Sequence, residues 1–422
     1  MSILIRNARL LDPARGLDVR GHLGLRNRCI THFGDAEPVE PYDEVLEADG
    51  QWIVPGAVDL CARFREPGDT GKADFASETR AAFAGGITRF ALPPDTRPPL
   101  DTPAMVVRVL RISKAVRSPW VAPLGALTRE LAGNALAEMS ALKAAGCVGL
   151  SNALRPLQDP LLARRALEYA HGLGLTIHVF PQDPALAGPG CAHEGPVATR
   201  LGLAAIPVAA EVAALRFWIS LVEDTGARVH FGRLSTARGV ELVETARDRG
   251  LPITADVAAH QLFLTEDLID GFNALGHVVP PLRDAVDRDA LRGAVGRGAI
   301  DAVCSDHQPH EADAKINPFP LTEPGLSTLE TLWPLVLQLV DDGVLSPLAA
   351  VDRITAAPAR ILGLPAPTLE AGAAADVVMI DPDADWTLQA AKLLSRGRHT
   401  PFEGWRFRHK VSACWHDGVR RA

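Results

Sequence analysis

The chain has 422 residues, 47% of them hydrophobic, and a formal net charge of -8 (43 Lys and Arg against 51 Asp and Glu). That length exceeds one average domain and suits a large α/β barrel with an appendage. A negative balance with no basic stripe argues against a nucleic-acid partner, and no uninterrupted apolar run is long enough to cross a bilayer. The six cysteines (Cys29, Cys61, Cys147, Cys191, Cys304 and Cys414) are scattered without a Cys-x-x-Cys pair. A disulfide scaffold or structural zinc site is therefore not expected, and a reducing cytoplasm is.

The N-terminal stretch Met1-Ser2-Ile3-Leu4-Ile5 is strand-like and lacks a signal-peptide core. From about residue 56, short β-rich runs alternate with helical stretches, as in successive βα units. Eight candidate strands follow in order: 58–64, 87–92, 120–127, 147–151, 175–180, 227–234, 251–257 and 300–305. Gly85-Gly86, Gly146, Gly174, Gly226 and Gly250 fall at the ends of helical stretches, where a left-handed C-cap needs glycine. Between Pro207 and Gly226, Val208, Val212, Leu215, Ile219 and Val222 step by four and three along one helical face. Pro181 to Pro196 reads as a long loop after the fifth strand. Eight such units predict a (β/α)₈ TIM barrel, whose active site lies at the C-terminal strand ends. The expected division is residues 56–365 for the barrel, with 1–55 and 366–422 either forming two halves of one small β domain or standing as unrelated surface extensions.

Within the first candidate strand, Pro55-Gly56-Ala57-Val58-Asp59-Leu60 leads into Cys61-Ala62-Arg63-Phe64-Arg65-Glu66-Pro67-Gly68. This segment resembles the first barrel strand of dihydroorotases, which ends in His-x-His-x-Arg-Glu-Pro-Gly. The resemblance covers essentially the whole chain and implies a barrel of amidohydrolase type with a small β domain built from both termini. In that family the two histidines hold a catalytic divalent cation. Here they are Cys61 and Arg63, and a guanidinium has no lone pair to offer a metal.

The remaining family positions change in the same direction. Pro93-Pro94-Asp95-Thr96 stands for Met-Pro-Asn-Thr, so Asp95 replaces a substrate-binding Asn. Leu150-Ser151-Asn152-Ala153-Leu154 stands for Phe-Ser-Asp-Asp-Gly, so Ala153 replaces the bridging acid. Phe180 and Arg233 replace two further metal-binding histidines, and Val279 replaces a substrate-binding Asn. The eighth strand end, Cys304-Ser305-Asp306-His307-Gln308-Pro309-His310, is similar to Thr-Asp-His-Ala-Pro-His. It places Asp306 at the general-base and metal-ligand position and His310 at a substrate contact. His230 is expected to pack outside the barrel by strand alternation.

A hydrolytic metal site needs about three protein ligands and an open position for water. With Cys61, Arg63, Ala153, Phe180 and Arg233 at the ligand positions, no catalytic residue, metal or cofactor is expected. Cys61 is read as a small buried strand residue. Arg65, Asp95, Asp306 and His310 are expected to form a vestigial pocket. Arg63 and Arg233 either pair with Asp306 in place of the metal's charge or extend to solvent.

Two functions follow from the resemblance. The first is a pseudoenzyme of pyrimidine biosynthesis, a non-catalytic dihydroorotase homologue that partners the aspartate carbamoyltransferase catalytic subunit, as a homodimer within a larger hetero-oligomer. The alternative is an active amidohydrolase that opens a cyclic amide through a reduced or rearranged metal site.

Overall fold

The computed structural model describes residues 2–422. Eight parallel strands lie side by side in chain order: β1 (Ala57–Asp59), β2 (Ile87–Leu92), β3 (Trp120–Ala126), β4 (Gly149–Ser151), β5 (Thr176–Val179), β6 (Val229–Phe231), β7 (Ile253–Ala258) and β8 (Ala302–Cys304). The ring closes between β1 and β8 just beyond the strands. There the Arg63 N–H donates to the His307 carbonyl (3.0 Å) and the His307 N–H donates to the Cys61 carbonyl (3.1 Å). Closure leaves no free sheet edge. Most observed strands are shorter than the apolar runs that signal them, because the chain turns out of the ladder where the mouth begins.

Side-chain alternation sorts the strands into two surfaces. Ile177, Val179, Val229 and Phe231 face outward into the core shared with the helices. The helix Val208–Thr225 packs Leu215, Ile219 and Val222 on it, each buried. Burial of each such side chain stabilises the fold by roughly 1.5–3 kcal/mol. Gly174 and Gly226 end their helices at φ 66° and 64°, which relieves a side chain of left-handed strain.

The inward set contains His230, which corrects the outward placement expected from the sequence. His230 pairs in register with His178 and Thr254, and it lines the cavity at the barrel centre. Alternation counted back from Arg233 fails because Arg233 has left the strand, with φ at 61°. The left-handed turn resets the parity, so both side chains reach the lumen.

A second sheet draws strands from both ends of the chain. Its path runs from Val419–Arg420 through Lys410–His416, Val377–Asp381, Trp52–Pro55, Ser2–Asp12 and Leu17–Arg26 to Cys29–Gly34, with Glu44–Glu47 paired to Ser2–Asp12. Leu10, Ile53 and Val377 pack into this domain's own core, while Leu11, Val54 and Val378 face the barrel core. Strand alternation therefore supplies the docking face directly. All six cysteines are free thiols, and no helix among the described residues is long and apolar enough to cross a membrane.

Between these C-terminal strands, residues 388–405 lie against the barrel. The Ser327 N–H donates to the His399 carbonyl at 2.9 Å. Gly397 lies so near the loop after β8 that a Cβ there would come 2.7 Å from Pro309. Glu330 Oε1 accepts the Leu394 N–H at 2.7 Å and the Ser395 N–H at 3.4 Å. Burial pushes the Glu330 carboxyl up to about 7, against those two donors. A carboxyl raised in the folded state favours unfolding as pH climbs from its ordinary value toward 7, since the unfolded chain ionises first. Glu330→Gln keeps an acceptor oxygen and removes the charge. Its melting temperature should exceed wild type at pH 8, with the gain shrinking as pH falls toward 5. A constant difference across that range would show that Glu330 ionisation does not act on stability.

Candidate functional site: the filled barrel mouth

Four residues at the strand ends hold positive φ without being glycine: Arg65 (60°), Ala153 (52°), Arg233 (61°) and Asp306 (47°). Each follows a short strand and turns the chain across the mouth. For residues other than glycine or Asn/Asp this conformation costs about 1–2 kcal/mol, so the mouth carries strain that the surrounding ladder must hold.

The side chains these turns deliver form one ionic cluster. Asp306 is buried, and its Oδ1 accepts from Arg233 Nη1 at 3.2 Å and Gln308 Nε2 at 3.2 Å. Arg63 Nη1 lies 3.5 Å from the same oxygen. The stronger partner of Arg63 is Asp95, whose Oδ2 accepts from Nε at 2.8 Å. Arg63 thus bridges two carboxylates, and Asp95, anticipated only as a changed substrate contact, is its main counter-ion. Burial alone would lower both guanidinium pKa values. Asp95 and Asp306 instead hold Arg63 above its ordinary value, and Asp306 does the same for Arg233. Burial likewise works against ionised Asp95, but the Arg63 charge overcomes it and holds the carboxyl below its usual range.

Cys61 and Phe180 complete the cluster. Burial pushes the Cys61 thiol up to about 12, so it stays protonated and places Sγ 3.4 Å from Asp306 Oδ1. The Arg233 guanidinium carbon lies 4.9 Å from the Phe180 ring centroid, a cation–π contact that desolvation strengthens. Ala153 contributes only backbone, with its N–H donating to Ser151 Oγ at 3.0 Å.

Arg65 and His310 form a second group at the rim. Arg65 Nε donates to the Pro309 carbonyl at 3.0 Å, and Nη2 lies 3.1 Å from His310 Nε2. Lys72 Nζ lies 3.1 Å from His310 Nδ1. Burial, with Arg65 and Lys72 beside it, pulls His310 down to about 2, so the imidazole is neutral. A neutral imidazole has one acceptor nitrogen and can satisfy only one of the two cations. Lys72 also faces Glu323 at 3.4 Å. Burial and the Arg63 charge lower Arg65 to about 10, leaving it protonated at neutral pH.

Beneath the ionic cluster lies a polar layer that sequence reasoning missed. His230 contacts Asp256 Oδ2 and Thr254 Oγ1, both at 2.9 Å. His178 packs over Gly149, where a Cβ would come 2.9 Å from its Nε2. Burial takes His178 down to about 3, and its Nε2 has no protein partner. The signal was present, since His178 precedes Phe180 by two residues and so shares its face. His260 is buried and lowered to about 4, but no spacing pointed to it.

This donor set does not fit the divalent cation that the architecture usually carries. At the former ligand positions only Cys61 and Asp306 offer suitable atoms; one is a protonated thiol and the other is already held by Arg233 and Gln308. Two guanidinium charges stand where a dication would sit. The cavity that remains, among Cys61, Arg63, Ala153, His178, Arg233 and Asp256, is ≈ 30 Å³. That is room for a water molecule.

Elsewhere, His193, Asp284 and Asp287 bring donor atoms within 4.8 Å of one another. Each of these residues has a structural task. Asp284 caps the helix Ala285–Arg297, Asp287 accepts the Ala237 N–H at 2.8 Å, and His193 Nδ1 lies 3.0 Å from Arg283 Nη1.

An eight-stranded parallel barrel with its side chains gathered at the C-terminal mouth, and a β domain assembled from both termini, defines the amidohydrolase class of protein. The Dihydro-orotase-like family profile matches residues 50–238, and the Amidohydrolase family profile matches residues 237–420. A dihydroorotase-like protein of Pseudomonas aeruginosa is 47% identical over 96% of this chain and 95% of its own length. A dihydroorotase of Anaeromyxobacter dehalogenans strain 2CP-C is 42% identical over 98% of this chain and 95% of its own. The solved L-hydantoinase of Arthrobacter aurescens shares the fold, with a TM-score of 0.88 at 22% identity over 99% of this chain and 95% of that one. The chain belongs to the dihydroorotase-like family of amidohydrolases.

Proposed function

We propose that the protein is a non-catalytic member of its family that serves as a structural partner of the aspartate carbamoyltransferase catalytic subunit. In this reading a homodimer of the chain sits within a larger cytoplasmic hetero-oligomer. The observation that carries it is the pair Arg63 and Arg233 gathered around Asp306, at positions where the family resemblance places metal ligands. Metal-dependent hydrolysis obtains its nucleophile by lowering the pKa of bound water to about 7, and nothing in this mouth replaces that function. The name "dihydroorotase-like protein" carried by relatives at 47% and 45% identity supports the same reading.

The test is the mass of the purified protein mixed with aspartate carbamoyltransferase from the same organism, by size-exclusion chromatography with light scattering. One peak much heavier than either component is expected. Separate elution at micromolar concentrations would remove the partner role.

The second reading, a cyclic-amide hydrolase, draws support from the dihydroorotases among its relatives. The two readings separate on turnover. With one equivalent of added Zn²⁺, dihydroorotate hydrolysis should stay at the level of a blank, and neither zinc nor a chelator should shift the melting temperature. Zinc-dependent turnover in protein free of host enzyme would establish the hydrolase instead.

A further inference from the structure

The opposite end of the barrel carries a cleft that has no part in the mouth. Its volume is ≈ 590 Å³, within the roughly 300–1,000 Å³ usual for small-molecule sites. Three pieces of chain meet there: the end of the helix Pro103–Val116 with the start of β3, the turn at Arg28, and the C-terminal hairpin from His416 to Arg421.

The charge of this cleft is opposite to that of the protein as a whole. Arg28, Lys114, Arg117 and Arg421 all line it. Arg28 is held by Asp417 at 2.5 Å, whereas Lys114, Arg117 and Arg421 have no ion-pair partner among the described residues. Lys114 and Arg117 stand at the C-terminal end of their helix, where the dipole favours cations. That does not account for Arg421, which comes from the facing wall and has its Nε buried with no hydrogen-bond partner. His416 is not a fourth free cation, because its Nδ1 lies 2.9 Å from Asp376 Oδ1.

Trp120 supplies a different chemistry beside them. It is the first residue of β3 and is 43% exposed, while Val121 next to it is buried. Arg421 lies 5.8 Å from the Phe83 ring centroid, a cation–π contact that leaves it without a counter-charge. A large indole left open beside three cations without ion-pair partners is a pairing that suits a ligand with a flat ring and several negative charges.

We propose that this cleft binds a nucleoside polyphosphate. Lys114, Arg117 and Arg421 take the phosphates, and Trp120 stacks on the base, a contact tolerant of base identity. A polyphosphate, with a charge on each phosphate, matches three cations lining one cleft better than a monophosphate does. The site is independent of the reading of the barrel mouth, so either can fail without the other.

The test is isothermal titration of the full chain with ATP, UTP, pyrophosphate and adenosine at low salt. ATP and UTP should bind, adenosine should bind far more weakly, and pyrophosphate should lie between. The double substitution Lys114→Ala/Arg117→Ala should weaken ATP at least about tenfold. Trp120→Ala should weaken ATP about tenfold and leave pyrophosphate unchanged, which a general loss of structure would not do. These positions are exposed, and unchanged melting temperatures will confirm folding. The proposal is overturned if ATP fails to saturate at millimolar concentration, if the double variant binds ATP like wild type, or if Trp120→Ala affects ATP and pyrophosphate alike.

Discussion

Replacing Asp306 by Asn should cost on the order of 3–5 kcal/mol of unfolding free energy, the usual penalty for breaking a buried ion pair from one side. Asn is nearly isosteric and tolerates the left-handed φ of 47° at this position, so the substitution removes charge without adding backbone strain. Arg63 keeps Asp95 at 2.8 Å, but Arg233 loses its one ion-pair carboxylate among the described residues and keeps only the more distant charge of Asp256. Adding Arg233→Met to the Asn variant should recover much of the loss, because the unpaired buried cation is then gone. Urea unfolding of the two single variants and the double variant measures the coupling. An Asp306→Asn protein as stable as wild type would show that the guanidiniums do not depend on this carboxylate. On the proposed non-catalytic reading, the signature of this substitution is a loss of stability rather than of activity.

A loss of similar size is expected from Glu78→Ala. Glu78 and His307 are both fully buried, with Oε2 2.8 Å from the imidazole Nε2. The Thr328 N–H donates to His307 Nδ1 at 3.1 Å, so the imidazole offers its Nε2 proton to Glu78. The other carboxylate oxygen accepts from Ser77 Oγ at 2.8 Å and from the Arg396 N–H at 3.0 Å. One carboxylate therefore ties the first barrel helix, the loop after β8 and the C-terminal segment together. Burial would raise its pKa, but His307 and the other donors win and hold it below the ordinary glutamate value. A depressed carboxyl stabilises the fold above its unfolded pKa, and that contribution is lost as pH falls through the folded value. The gap between wild type and Glu78→Ala should thus be full at pH 7 and narrow in acid. Proteolysis should cut the segment near Arg396 sooner in the variant; equal cutting rates and equal stability would show that the tie is redundant.

Much of this architecture is legible in the sequence. The βα rhythm and the terminal glycines announced eight strands because each feature has a local cause, in buried apolar runs and left-handed caps. The residues at the mouth were also legible, since the resemblance to dihydroorotases places Cys61, Arg63, Ala153, Phe180 and Arg233 at the family's metal-ligand positions. What those residues do with one another was less accessible. Pairing of Arg233 with Asp306 was foreseen as one of two alternatives, whereas Asp95 as the chief counter-ion of Arg63 was not.

By itself the sequence determined the strand count and the residues delivered to each strand end, and its resemblance to dihydroorotases marked which of them stand at ligand positions. These are properties of one residue or one short window. Tertiary structure decided the face His230 presents, the bridge from Asp95 through Arg63 to Asp306, the ≈ 30 Å³ cavity at the barrel centre and the cationic cleft at the opposite end. The physical reason is common to all four. Left-handed residues at the strand ends reset the alternation that a linear reading counts on. The contacts that matter also join residues such as Cys61 and Asp306, 245 positions apart, which meet only when the barrel closes.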